Sequence, residues 1–392
     1  MQKDYKQLGD YIQEVDVRNE GGDISTLLGI NIDKFFMPSV ANVVGTDLTR
    51  YKVVGRNQFA CNRMHVGRDK RLPVALSAKE EKFIVSPAYD VFEIIDKQKL
   101  LPDFLMMWFS RSEFDRNTWF YTDADVRGSL SWSTFLDMQL LVPSLEKQQE
   151  IVSEYNAVQK RINLNNKLIQ KLEETAQAIY KQWFVDFEFP DENAKPYKSN
   201  GGDMVESELG EIPKGWKVGR LSDVIDVKYG KAYNHLNHGN VPLYGSGGLM
   251  GYVNEVLYNK PSILIPRKGT LNNIMFINKP FWCVDTMFYS VLLNEFAGYY
   301  LFYFLRKIDF DVLNQGSAVP SMTTNYLNGI QLVLPNNDIL KKIENTLNRT
   351  RQLSELYNKD NQQVENFKKL LLSKLSTTIN LKNYGRNTFL SR

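Results

Sequence analysis

Three features of the sequence predict a mixed α+β chain built as an internal repeat, with two globular domains and two long helices. The stretch "MQLLVPSLEKQQEIV", beginning at Met138, has a double 192 residues later in "IQLVLPNNDILKKIE", beginning at Ile330. Each copy is preceded by short apolar runs punctuated by Gly, Asn and Pro, the pattern of strands and turns. Each is followed by more than 35 residues without Gly or Pro, carrying apolar residues at helical spacing.

The repeat continues through the segments ahead of those two stretches. "LGDYI" at Leu8 answers to "LSDVI" at Leu221, and "FACNRM" at Phe59, which reaches Arg63, answers to "ILIPRK" at Ile263, which reaches Arg267. "VSPAY" at Val85 pairs with "VDTMF" at Val284, and "GS" at Gly128 with "GS" at Gly316. The order is the same in both halves while the separation drifts from 213 to 188 residues. Insertions gathered in loops between fixed elements produce that drift.

After Pro143 the apolar positions are Ile151, Tyr155, Val158, Ile162, Ile169, Leu172, Ala176, Ile179 and Trp183, interrupted by Asn165. Their alternation of four and three is a heptad seam. The second copy is less regular, with Ile339, Ile343, Leu347, Leu353, Leu356, Val364, Phe367, Leu371 and Leu375 interrupted by Thr350 and Asp360. Each helix would span about 55 Å, and a single apolar stripe on a long helix calls for a partner, so the two are expected to pack together. Asn165 is expected either to fix their register or to be solvated. "FPDENAKPYKSNGGDMVESELGEIPKGW", with its early prolines and Gly-Gly pair, reads as a linker. The resulting order is a globule (1–142), a long helix (143–186), the linker (187–215), a second globule (216–334), a second long helix (335–380) and a tail (381–392).

Composition excludes several classes. The 392 residues contain no apolar run of the roughly 18 that a membrane helix needs. The N-terminus "MQKDYKQLGDY" has no signal-peptide core, and Cys61 and Cys283 lie far apart in apolar runs, so a reduced, cytoplasmic chain without disulfides is expected. Three histidines and no CxxC or HExxH offer little for a zinc site. The net charge of +3 is small, but two windows are strongly basic. Between Arg50 and Arg71, seven bases (Arg50, Lys52, Arg56, Arg63, Arg68, Lys70, Arg71) face one acid, Asp69. Between Val227 and Val284, six bases (Lys228, Lys231, Lys260, Arg267, Lys268, Lys279) face Glu255. Their matching places in a repeat argue against two accidental solvated faces.

Catalytic motifs are weak. "SPAY" at Ser86 approximates the tetrapeptide with which amino-methyltransferases hold adenine, but it lacks the second proline and nothing nearby supplies a glycine-rich turn for the methyl donor. "GSGGLMG" at Gly245 is followed by a strand-like run where a dinucleotide site requires a helix, and reads as a flexible turn. Asp69 with Glu80 and Lys82 could form a nuclease pattern, but the same residues suit a charged turn. No Ser/His/Asp arrangement can be nominated.

"GRNQFACNRMHVGRDKRLP", "FIVSPAYDVFEI", "LLVPSLEKQQEI", "SELGEIPKGW", "ILIPRKGTLNN" and "FWCVDTMFY" together resemble the specificity subunits of type I restriction-modification systems over essentially the whole chain. The second helix opening departs from that pattern by lacking the glutamine present as Gln148 in the first, which affects the partner contacts that the resemblance implies there. The resemblance implies two target recognition domains, each reading part of double-stranded DNA, separated by the two long helices paired as an antiparallel coiled coil that serves as a spacer. It also implies two modification subunits that methylate adenine, with S-adenosylmethionine held on them and no cofactor on this chain, and restriction subunits that join for cleavage. Unlike globules then imply a bipartite, asymmetric target. The candidate DNA contacts are Arg63, His65, Arg68, Lys70 and Arg71 in the first domain. In the second they are Lys228, Lys231, Tyr244, Ser246, Arg267, Lys268, Asn272 and Asn273. Arg and Lys suit guanine or phosphate, and Asn suits adenine. The equivalent places of Arg63 and Arg267 favour a shared scaffolding or phosphate role. Two other classes stay open: an autonomous DNA methyltransferase, and a coiled-coil adaptor without a DNA role.

Overall fold

The computed structural model describes residues 5–41, 45–64, 66–122, 128–314 and 322–375. The chain falls into two compact units, Met1–Asn165 with Lys359–Arg392, and Asn166–Asn358. Both predicted long helices form, as Leu145–Phe184 and Asn337–Lys374. Each contributes to both units, so grouping in space does not follow the globule, helix, globule, helix order along the chain.

The centre of the first unit is an antiparallel four-stranded sheet in the order Ile12–Glu14, Asp90–Ile94, Gln58–Cys61, Val74–Leu76. The second unit builds the same order from Ile225–Tyr229, Met287–Leu292, Ser262–Pro266 and Met275–Ile277. Individual backbone hydrogen bonds repeat with it. Leu8 N–H donates to Met138 O and Leu221 N–H to Ile330 O, both at 2.8 Å. Leu130 N–H donates to Arg63 O (3.1 Å) and Met322 N–H to Arg267 O (2.9 Å), so the two arginines are structural equivalents. One sequence match moves by a residue. The turn closed by Tyr89 N–H to Ser86 O corresponds to that closed by Met287 N–H to Val284 O, both at 3.0 Å, which aligns Val284 with Ser86 rather than Val85. The loop around Gly316 lies outside the described residues.

Outside the shared sheet the units diverge. The first carries two small two-stranded sheets, Leu28–Ile30 with Phe36–Pro38 and Lys52–Val54 with Phe83–Val85. The second carries a hairpin, His238–Gly245 and Gly248–Val253, joined in parallel by Trp282–Cys283. The "GSGG" turn is the tip of that hairpin, where Gly248 has φ +113°, a conformation that side chains resist.

The first helix follows its predicted seam closely, with Ile151, Ile162, Ala176 and Trp183 all buried. The second does not. Leu353, Leu356 and Phe367, predicted to face the partner, are exposed. The inward side instead carries Leu347, Thr350, Ser354, Tyr357, Asn361, Val364 and Lys368, again alternating three and four. Polar pairing selects this side. In the first unit Asn165 is buried and donates to Asp360 Oδ2 (2.7 Å) and Asn361 Oδ1 (2.8 Å), while Arg161 holds both oxygens of Asp360 at 2.9 and 3.1 Å. The polar interruptions of the two seams thus meet each other. A slip of one heptad would put Leu353 or Phe367 where Asp360 now pairs, and Arg161 and Asn165 would lose that carboxylate.

The supposed linker is packed. Phe189 stacks on Tyr197 (4.6 Å) and on Trp216 (5.0 Å), Met204–Val205 pairs with Ile212–Pro213, and Phe189 and Ile212 belong to the second unit's core. Pro and Gly shape its turns, while three aromatic residues among them supply the burial that orders it.

Candidate nucleic-acid interface

The long first-unit window of bases is largely answered by acids from elsewhere in the chain. Lys52 is buried beside Glu14 and Asp16, and Arg56 pairs with Glu80. Arg63 forms a fork with Asp90, Nε to Oδ2 at 2.7 Å and Nη2 to Oδ1 at 3.0 Å, donates from Nη1 to Leu130 O, and lies over the Trp132 ring. Arg63 therefore joins sheet to loop, which is a scaffolding contact, one of the two roles expected of it beside phosphate holding. Arg68 pairs with Asp69, and Arg71 with Asp33 at 2.9 Å and Asp115 at 3.5 Å. Lys70 has no carboxylate partner among the described residues; its Nζ lies 4.8 Å from the Trp119 ring centre. His65 lies outside the described residues.

Arg68 sits on a short helix, Val66–Asp69, with Lys70 and Arg71 directly after it, and the helix is clamped to the backbone at Gly128. Gly67 N–H donates to Gly128 O at 2.8 Å, and a Cβ on Gly67 would come within 2.7 Å of Gly128 Cα. Close backbone contact of that kind requires glycine and holds the basic turn in place.

In the second unit, three strand ends converge. Lys231 N–H donates to Cys283 O at 3.0 Å, and the Trp282 indole donates to Lys231 O at 3.0 Å. Arg267 and Lys268 N–H both reach Thr286 O, at 2.8 and 3.3 Å. Asn273 Nδ2 donates to Ser246 O at 2.7 Å, tying the hairpin tip to the turn after Pro266. Arg267 lacks an ion pair of the Arg63 kind because the strand position of Asp90 is taken by Phe288. Its guanidinium lies 5.3 Å from the Tyr229 ring and donates to Asp285 O at 3.3 Å. Lys231 and Lys268 are exposed with no carboxylate partner among the described residues.

Several candidates are placed elsewhere in function. Tyr244 is buried in the apolar cluster with Leu243 and Trp282, and burial raises its phenol pKa; its ring belongs to the core, at a shift in strand register where both Leu243 and Tyr244 are buried. Asn272 donates to Asp309 Oδ1 (3.0 Å) and Asp311 Oδ2 (2.8 Å) and accepts from Phe310 N–H (2.8 Å). With Asn273 bound to Ser246, both asparagine side chains are engaged in holding the loop. Lys228 is exposed but paired with Asp226 at 2.7 Å, which raises its pKa. Ser246 is half-buried at the hairpin tip. Tyr229 was missed; the interleaving of bases and aromatics in "VKYGKAY" is the signal that marks it.

The nuclease pattern does not assemble. Arg68 holds Asp69 and Arg56 holds Glu80, and no cluster of three or more His, Cys, Asp or Glu suited to a metal occurs among the described residues. No described helix is long and apolar enough to cross a membrane.

Gln148, the glutamine that the second copy lacks, is internal. It is fully buried, donates to Lys99 O (2.8 Å) and Pro143 O (2.9 Å), and accepts from Leu101 N–H (2.8 Å) ahead of the helix Pro102–Phe109.

A duplicated sheet that keeps its topology while varying its strand-end loops, linked to a pair of long helices, defines a two-domain recognition protein. Residues 213–366 match the family described as the type I restriction modification DNA specificity domain. The putative type I restriction enzyme MjaX specificity subunit of Methanocaldococcus jannaschii is 25% identical over 385 residues, 90% of this chain and 85% of that one. The MjaIX specificity subunit of the same organism is 25% identical over 279 residues, 64% of this chain and 62% of its own length. Among solved structures, the S subunit of a type I restriction-modification system from M. genitalium superposes with a TM-score of 0.60 at 14% identity, covering 95% of both chains. Along most of its length the chain is thus similar to the specificity subunits of type I restriction-modification systems.

Proposed function

We propose that this chain reads DNA sequence for a type I restriction-modification complex, each unit recognising one half of a bipartite, asymmetric target. The observation that carries this reading is the shared four-stranded sheet with unlike loops at its strand ends. A common scaffold docks both units on DNA in the same manner, while differing loops select different bases. Lys231, Arg267 and Lys268 in the second unit, and Arg68, Lys70 and Arg71 in the first, are the proposed backbone and base contacts. The exposed ion pairs of Arg68 and Arg71 are individually weak and exchangeable for phosphate.

The long helices are proposed to set the spacing between half-sites and to dock two modification subunits. Leu353 and Leu356 in the second unit, and Phe367 and Leu370 in the first, are exposed apolar pairs on the second helix, outside its inward seam, and suit partner contacts. S-adenosylmethionine and adenine methylation belong, in this reading, to the modification subunits, and restriction subunits join for cleavage. Neither the autonomous methyltransferase nor the adaptor reading has a comparable observation in its favour.

Mapping adenine methylation in the host genome with and without this gene tests the proposal. Loss of one bipartite motif is the expected result, and an unchanged methylation pattern would overturn it.

A further inference from the structure

The helix Ser112–Phe120 ends in three consecutive aromatic residues that the fold leaves in solvent. Trp119 is 43% exposed, Phe120 79% and Tyr121 54%, and the last two rings meet edge to face at 5.1 Å. The same helix buries Phe114 and Thr118 on its other side, so the exposed run is surplus to the core. Such a cluster is costly in water unless something covers it.

Its surroundings indicate the occupant. Lys70 Nζ lies over the Trp119 ring, held by a backbone in the left-handed region (φ +55°) and by Lys70 N–H to Val66 O at 2.7 Å. Arg68 and Arg116 are both largely exposed, and the acids beside them, Asp69 and Glu113, are each within ion-pair distance of these bases. Apolar rings flanked by cations suit a polyanion that also offers flat apolar faces. A nucleic acid supplies both, phosphate for Lys70 and Arg68 and a base face for the rings.

Resting on the proposed DNA-reading function, we infer that Phe120, supported by Trp119 and Tyr121, stacks on a base step of the half-site read by the first unit and locally opens it. Lys70 and Arg68 hold the adjacent phosphates. In the second unit Gly298–Arg306 matches the buried helix Pro102–Phe109, and the element at the place of Ser112–Phe120 is the short turn Phe310–Asn314, which carries no run of three aromatic residues. The two half-sites are then read differently: one by an aromatic wedge, the other by cationic loops.

The test uses the specificity chain assembled with its modification subunits. The duplex carries the target identified by methylation mapping, with 2-aminopurine placed singly across both half-sites. Binding of the wild-type complex should change the fluorescence at one step of one half-site only. Phe120→Ala should abolish that change and weaken binding about 5- to 100-fold, the range for loss of one stacked base. Phe120→Leu should resemble Ala in fluorescence, while Phe120→Trp should restore the signal, and Tyr121→Ala should weaken it. If the wild-type complex binds the target specifically but Phe120→Ala keeps both affinity and fluorescence, the stacking role is wrong while DNA reading stands. If Phe120→Ala prevents subunit assembly in the absence of DNA, the aromatic run is a protein interface and the inference falls. Absence of specific binding by the wild-type complex would count against the DNA-reading function itself.

Discussion

Arg63 and Arg267 occupy the same place in the repeated sheet, yet their neighbours have made them different residues. Arg63 is locked into Asp90, Leu130 O and the Trp132 face, whereas Arg267 rests on exposed Tyr229 and one carbonyl. The same contrast extends to the basic windows around them. Acids from across the fold answer most of the first window, while Lys231, Lys260, Lys268 and Lys279 of the second have no carboxylate partner among the described residues. A basic run in sequence is therefore a basic surface only where the fold brings no acids to it.

The largest consequence concerns the starts of the two long helices. Gln148→Ala would strand Leu101 N–H, Lys99 O and Pro143 O in a fully buried site, and should cost the first unit about 3 kcal/mol, read by chemical denaturation. A loss below 1 kcal/mol would show that water replaces the amide.

Arg63→Ala should cost about 2–3 kcal/mol, because Asp90 loses its partner in a largely buried setting. Arg267→Ala should cost under about 1 kcal/mol yet weaken DNA binding by the assembled complex. Equal stability losses in the two variants would erase the distinction between a locked and an open arginine.

Salt dependence sharpens the charge contrast. Replacing Lys231 and Lys268 together with Ala should lower the magnitude of the log–log salt slope by about 2, one per phosphate contact, with little change in half-site preference. An unchanged slope would remove both residues from the interface.

The smallest effect is a pH dependence. Glu344, near the start of the second long helix, has a buried oxygen without a hydrogen-bond partner, and burial pushes its carboxyl pKa up from 4.5 to about 7. The folded chain therefore binds this proton more tightly than the unfolded chain. Its contribution to stability is complete below about pH 4.5 and is lost as pH rises towards 7. Glu344→Gln should thus gain about 1 kcal/mol at pH 8 and almost nothing at pH 4, compared by thermal unfolding. A gain independent of pH would assign the effect to something other than ionisation.

Sequence alone carried the duplication, both long helices and the equivalence of Arg63 with Arg267, because these depend on order along the chain and on short-range periodicity. It also located Asn165 as the polar break in the first seam. Which side of the second helix turns inward was decided by tertiary structure: Leu353, Leu356 and Phe367 have the hydrophobicity of a seam, but pairing of Asp360 and Asn361 with Asn165 sets another side against the partner. The linker's composition concealed a packed strap, since Phe189, Tyr197 and Trp216 bury themselves only when distant elements supply the surface. Asn272 and Asn273 were legible as turn residues, but their commitment to Asp309, Asp311 and Ser246 depends on loops 27 to 39 residues away. Local pattern determines what a segment is able to form; hydrogen-bond satisfaction and charge neutralisation are completed by residues remote in sequence, and these decide which side chains remain free to meet DNA.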